Sequence, residues 1–199
     1  PILGELPATP RDGALCVLLV LAGCGAQADD PSAEIYDPEQ LNAFSLTLSS
    51  ESVAALAGQC KLADRPYVPA DFAFGGERIA RVGVHVKGEF TCRELDAKPS
   101  LKVKFDAFVP NQSFRGLRRM TLNAAMQDRS FVAERLAYHL YRTAGLPAPR
   151  ANGALLTING TFYGVYVNVE TEDKTFLRRW FASDEGNLYE EGRADLVAG

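Results

Sequence analysis

Two lysines on a strand and a glutamate on the following helix are the residues of this chain best placed to do chemistry. Leu101-Lys102-Val103-Lys104-Phe105 alternates apolar and basic residues, so Leu101, Val103 and Phe105 share one face of a strand and both lysines share the other. Glu134 falls in a helix bounded at about 129–144. Asp128 stands at its N-cap, Gly145 stands where a left-handed C-terminal residue belongs, and Pro147 prevents continuation. An amine held by a helical carboxylate is one way to clamp phosphate, because phosphoryl transfer depends chiefly on charge neutralisation and positioning. The same pair is more often a surface ion pair worth under about 1 kcal/mol. Taken alone, the spacing favours the plainer reading.

The elements around these residues must position them. Residues 43–48 alternate as a strand, and 52–57 form a short helix before Cys60. Residues 67–74 read as an edge strand because of Pro69, and Gly75-Gly76 turns the chain into a second strand over 78–87. There Val82, Val84 and Val86 face one side, while Arg81, His85 and Lys87 face the other; His85 reads as a half-exposed surface residue. Residues 108–115 form a loop, and 117–122 form a strand ending at Asn123. Strands at 154–158 and 161–169 are joined by Asn159-Gly160, a strong two-residue hairpin signal, and the second delivers Glu170 at its end. A short helix over 173–181 carries Trp180 and Phe181 as packing anchors. Asp184 and Glu185 follow in solvent. On the long helix, Ala133, Leu136, Ala137, Leu140 and Ala144 form one stripe, expected to pack on the sheet with Glu134 at its border and His139 solvated. The expected fold class is α+β, an antiparallel sheet packed with one long helix.

The chain of 199 residues has ordinary globular composition, 47% hydrophobic and 23% charged. A net charge of -4 gives no reason to expect nucleic acid, so an anionic ligand must be bound locally. Residues 14–21 form an apolar run ending in Leu21-Ala22-Gly23-Cys24, which looks like a bacterial lipobox with Cys24 as the lipid acceptor. Residues 1–24 are therefore expected to be a lipoprotein signal, with 25–36 a polar tether. Only Arg11 is positive before the run, and the chain starts at Pro1. Export leaves Cys60 and Cys92 as one pair in an oxidising compartment, where a disulfide is expected. Two cysteines and two separated histidines supply no ligand set of zinc spacing, so no metal site is expected in this chain.

A series of short matches in order adds a family. The series is Val82-Gly83-Val84-His85-Val86-Lys87-Gly88, Lys98-Pro99-Ser100-Leu101-Lys102-Val103-Lys104-Phe105, Phe114 to Asn123, Glu134-Arg135-Leu136-Ala137-Tyr138, Gly145 to Arg150, Asn159 to Tyr166 and Gly186-Asn187-Leu188-Tyr189-Glu190. It resembles the spore coat protein H (CotH) kinase family over about residues 79–191. The resemblance implies a domain over 37–169 like the N-terminal lobe of an atypical protein kinase, then a linker and the start of a second lobe over 170–199. It implies ATP and magnesium as cofactors and protein serines or similar hydroxyls as acceptors. Lys104, or alternatively Lys102, would hold phosphates and be held by Glu134. Lys87-Gly88 would offer a basic glycine turn, though Glu89-Phe90-Thr91-Cys92 departs from the small polar residues usual there. Glu170 would lie in the linker where backbone groups read adenine. Catalytic aspartates would lie beyond Gly199, leaving the 199 residues inactive alone. The expected setting is the cell envelope, on the outer membrane or cell surface, with the membrane reached through lipid on Cys24. The alternative is a lipid-anchored, non-catalytic binding or structural module.

Overall fold

The computed structural model describes residues 30–189 except 89 and 187. The proposed signal and Cys24 lie outside the described residues. Seven strands carry the fold: β1 (Asn42–Leu48), β2 (Val68–Phe74), β3 (Glu77–Lys87), β4 (Ser100–Lys104), β5 (Arg119–Asn123), β6 (Ala151–Ile158) and β7 (Thr161–Glu170). The helices are α1 (Ser50–Leu56), α2 (Ala133–Thr143) and α3 (Lys174–Trp180).

The strands close into a barrel in the order β1-β2-β3-β4-β5-β7-β6. Six of its seams are antiparallel, and the parallel pairing of β1 with β6, Asn42 opposite Ala154 through Leu46 opposite Ile158, completes the ring. This corrects the expected α+β fold class. No open sheet face waits for a long helix, because the inward side chains fill the barrel themselves. Phe44, Phe72, Phe105 and Phe114 form its aromatic centre, with ring centroids 5.0–5.4 Å apart between Phe72 and each of the other three. Leu101, Val103, Met120, Leu122, Val82, Val84 and Val86 complete the lining, so the alternation in β3 and β4 gives the interior correctly.

Local chemistry sets the seam that the ring depends on. Asn159 and Gly160 both take positive φ, 49° and 79°, as a type I′ hairpin demands. The Asn159 side chain also accepts from the Leu48 backbone N–H at 2.7 Å and donates to the Leu48 carbonyl at 3.1 Å. One turn residue thereby fastens the β6–β7 hairpin to the end of β1.

The long helix differs from expectation in extent and in facing. It begins at Ala133, five residues after Asp128, whose carboxylate still accepts from the Ala133 N–H at 2.9 Å. Its apolar stripe points away from the barrel: Leu136 is 55% and Leu140 57% exposed. The side chains that meet the barrel include Glu134, Tyr138 and Arg142, spaced four apart, and Arg135, which lies over Gly153. Tyr138 and Phe131 pack over Ala151, Val167 and Val169 on the outer wall, and Arg142 donates to the Pro149 carbonyl. A wall of small residues already covered by two aromatic rings leaves no place for the leucines. Residues 30–36 lie on the barrel as well, with Ile35 and Tyr36 in the main core.

Candidate functional site

The outward face of β3, β4 and β5 gathers the basic residues into rows set by strand register. Gly83, Lys104 and Arg119 form one row, and His85, Lys102 and Thr121 the next. Lys87 stands opposite Ser100 in the third. Lys87, Lys102, Lys104 and Arg119 thus share one face, spread over roughly 14 Å given strand rise and spacing. Among the described residues none of the four forms an ion pair. In a chain of net charge -4, this is a local cationic surface of the kind an anion would need.

Aromatic and polar groups shape it. The Lys104 amine lies 5.9 Å from the Tyr67 ring centroid, and His85 meets the same ring edge-on at 4.5 Å. Burial, followed by the Lys102 and Arg65 charges, lowers the His85 pKa despite its contact with the Val86 carbonyl. Along the second row, Thr121 is followed by Val169 and Ala151, the residues α2 covers, so the helix borders the basic face directly. Thr171, just after β7, approaches Thr121 with 3.5 Å between hydroxyls on that same β7 side.

Glu134 closes the end of the face nearest Lys87. Its Oε2 accepts from Asn123 Nδ2 at 2.9 Å, while Asn123 Oδ1 accepts from the Ser100 hydroxyl at 3.2 Å and from the Ala125 N–H at 3.2 Å. Ser100 in turn accepts from the Ala124 N–H at 2.9 Å. Thr91, Ser100, Asn123, Asp128 and Glu134 line a cavity of about 190 Å³ there. Burial lifts the Glu134 carboxyl above its ordinary value; the Lys87 charge and the Asn123 bond work in the opposite direction. Lys87 is therefore the lysine whose charge stabilises this carboxylate. Lys104 and Lys102 share the face but make no direct ion pair with Glu134, whereas the family resemblance implied that Glu134 would hold one of them. Strand alternation placed all three lysines outward, but it could not tell which end of the sheet the helix would reach.

Glu170 has a different setting. Its carboxylate is 3% exposed and is taken up by arginines. Oε1 accepts from Arg150 Nη2 at 2.9 Å, while Oε2 accepts from the Arg150 backbone N–H at 3.0 Å and from Arg179. Arg150 also pairs with Asp30 at 2.5 Å, donates to the Ser32 hydroxyl at 2.8 Å and stacks over Tyr36 at 4.3 Å. Burial works against the Arg150 charge, but Glu170 and Asp30 outweigh it and raise its pKa. The Glu170 side chain is thereby committed to joining α3 and residues 30–36 to the barrel. Arg150 and Arg179 were not singled out from the sequence; their opposite number was, at the end of a strand.

Among the described residues no group of three or more His, Cys, Asp and Glu side chains could hold a metal ion. Cys60 and Cys92 are joined by a disulfide, with Cα atoms 5.5 Å apart.

Residues 84–197, more than half of the chain, match the family described as CotH kinase protein. The chain belongs to the CotH kinase protein family. It is similar to the inner spore coat protein H-like protein of Bacillus subtilis (strain 168), at 36% identity over 90 residues, which cover 45% of this chain and 28% of that protein. It is also similar to inner spore coat protein H of the same organism, at 30% identity over 83 residues, covering 42% of this chain and 23% of the other. The matched stretch therefore spans about a quarter of these relatives' length. The CotH match takes in β4, β5, α2, β6, β7 and α3, together with Lys87, Lys102, Lys104, Arg119 and Glu134. Every member of the basic face except Gly83 falls inside it.

Proposed function

We propose that this chain forms the phosphate-holding part of a CotH-family protein that transfers phosphate from ATP to serine or similar hydroxyls of a protein. The observation that carries this reading is the face of β3, β4 and β5 on which Lys87, Lys102, Lys104 and Arg119 form no ion pair among the described residues, bordered by Glu134. A triphosphate brings several negative charges, and amines without carboxylate partners can receive them at no cost in broken ion pairs. Lys102 and Lys104 project side by side and suit the phosphate oxygens. Lys87 reaches the same anion from the end of β3, and Glu134 with Asn123 orients it. Among the described residues no carboxylate cluster would hold magnesium, so the ion would come with the nucleotide and supply added positive charge, with Lys87, Lys102 and Lys104 providing the chain's own share. The names of the relatives and the Leu21-Cys24 motif support a place at the cell or spore surface, with lipid on Cys24 as the anchor. Those names also favour a second reading, a structural module of a surface assembly that keeps the face without the chemistry.

Titration of the folded chain with magnesium ATP, read by calorimetry, tests the first reading. Saturable binding that weakens in Lys104→Met, Lys102→Met and Lys87→Met is expected. A folded protein that binds no nucleotide at millimolar concentration sinks it. Transfer of radiolabel from ATP to a serine-containing protein separates the kinase from the structural module.

A further inference from the structure

Lys104 stands at the centre of the basic face without a carboxylate to hold it. Its amine forms no ion pair among the described residues, and what it approaches is the ring of Tyr67, 5.9 Å from the centroid. Strand register explains the meeting. Val68, the first residue of β2, lies opposite Val84 on β3, and both are buried in the core. Tyr67, one residue earlier, therefore faces outward beside Gly83 and His85, the two residues that flank Val84. Gly83 is in turn the register partner of Lys104 on β4. The tyrosine ring comes down on Gly83 itself: a Cβ there would lie 2.9 Å from Tyr67 Cδ1 and 2.5 Å from the Ala107 Cβ. Only a residue without a side chain leaves that floor open. His85 meets the half-buried ring edge-on, with centroids 4.5 Å apart and the planes at 85°. A floor of backbone and an imidazole at its edge thus seat the ring beside the amine.

We propose that Tyr67 is a positioning residue for Lys104: its ring, seated on Gly83, holds the amine for phosphate through a cation–π contact, in place of the Glu134 carboxylate that the family resemblance implies. The inference rests on the proposed function for its ligand. The two kinds of partner differ chemically. A carboxylate would hold the amine and cancel its charge. The negative face of a ring attracts the cation but brings no net charge of its own, so the amine meets the phosphate oxygens with its charge intact. The contact also narrows the conformations of a long, flexible side chain before ligand arrives, which lowers the ordering cost of binding. Both Tyr67 and Gly83 precede residues 84–197, the stretch that matches the family, so this support for Lys104 comes from outside the matched region.

The test uses the full chain with magnesium ATP as probe and checks folding by circular dichroism. Tyr67→Leu is expected to raise Kd about threefold, the size of a partly exposed cation–π contact, and Tyr67→Phe to keep the wild-type value because it retains the ring. In a Lys104→Met background Tyr67→Leu should add nothing, whereas a general loosening of the fold would weaken both chains alike. NMR gives a readout independent of nucleotide. The Lys104 ε protons should lie upfield of those of Lys102 through the ring current of Tyr67, return to the ordinary position in Tyr67→Leu and stay upfield in Tyr67→Phe. Lys104 ε protons at the ordinary position in the wild-type chain overturn the proposal, and that measurement needs no variant to fold. An unchanged Kd in Tyr67→Leu also overturns it, as does an equal loss in Tyr67→Phe or a loss that persists in the Lys104→Met background. If the wild-type chain binds no nucleotide, the proposed function fails, and the ring-current shift still decides whether Tyr67 holds Lys104.

Discussion

Two glutamates beside the barrel have opposite circumstances. Glu170 is buried and both oxygens are occupied, by Arg150 through side chain and backbone and by Arg179. Glu134 is half-buried, accepts one hydrogen bond from Asn123, and has Lys87 as its charge partner without a direct ion pair. A carboxylate saturated by arginines cannot also serve a ligand; one left with a raised pKa and open coordination can. The contrast separates a joint from a site using residues that look alike in the sequence.

Breaking the joint should have the largest effect. Glu170→Gln leaves the Arg150 and Arg179 charges buried against a neutral partner, and a loss of about 3–5 kcal/mol in urea unfolding is expected. A loss below about 1 kcal/mol would place Glu170 among ordinary surface groups. The same substitution at the other glutamate should behave differently. Glu134→Gln keeps an acceptor for Asn123, so stability at neutral pH should hold or rise, while magnesium ATP binding weakens about tenfold, equivalent to about 1.4 kcal/mol.

The pH response sharpens the difference. Because burial raises the Glu134 pKa in the folded chain, its contribution to stability is full below the ordinary carboxylate pKa. It is lost as pH rises through the raised folded value. Glu134→Gln should flatten that part of the stability profile. His85 works in the reverse sense: its lowered pKa makes its contribution full above the ordinary imidazole value and lost as pH falls below it. His85→Asn should remove a slope in unfolding free energy between neutral and mildly acid pH. The smallest effect is expected on the outer side of α2. Leu136→Ser and Leu140→Ser should each change stability by no more than about 0.5 kcal/mol, whereas a stripe packed on the barrel would lose about 2–5 kcal/mol on truncation.

Much of this was legible in order along the chain. The alternation in 101–105 and 82–86 states which side chains face inward, because strand geometry has a period of two whatever the partner. Asn159-Gly160 names its own turn, since both positions require left-handed backbone. The helix was legible in its existence and less so in its direction. Its leucines and alanines do form a stripe, but the face presented to the barrel is the one whose Glu134, Tyr138 and Arg142 found partners there. Hydrophobic period says which residues resemble one another and not which surface is available to cover them.

By itself, the sequence determined the strands, their inward residues, the hairpin turns, the outward lysines and the family whose motifs they carry, all of which depend on neighbours a few residues apart. The tertiary structure decided the rest. It closed the ring by pairing β1 with β6 across more than a hundred residues, gave Lys87 and not Lys104 to Glu134, and locked Glu170 between two arginines. Those outcomes depend on which elements meet in space, and no local spacing encodes that distance.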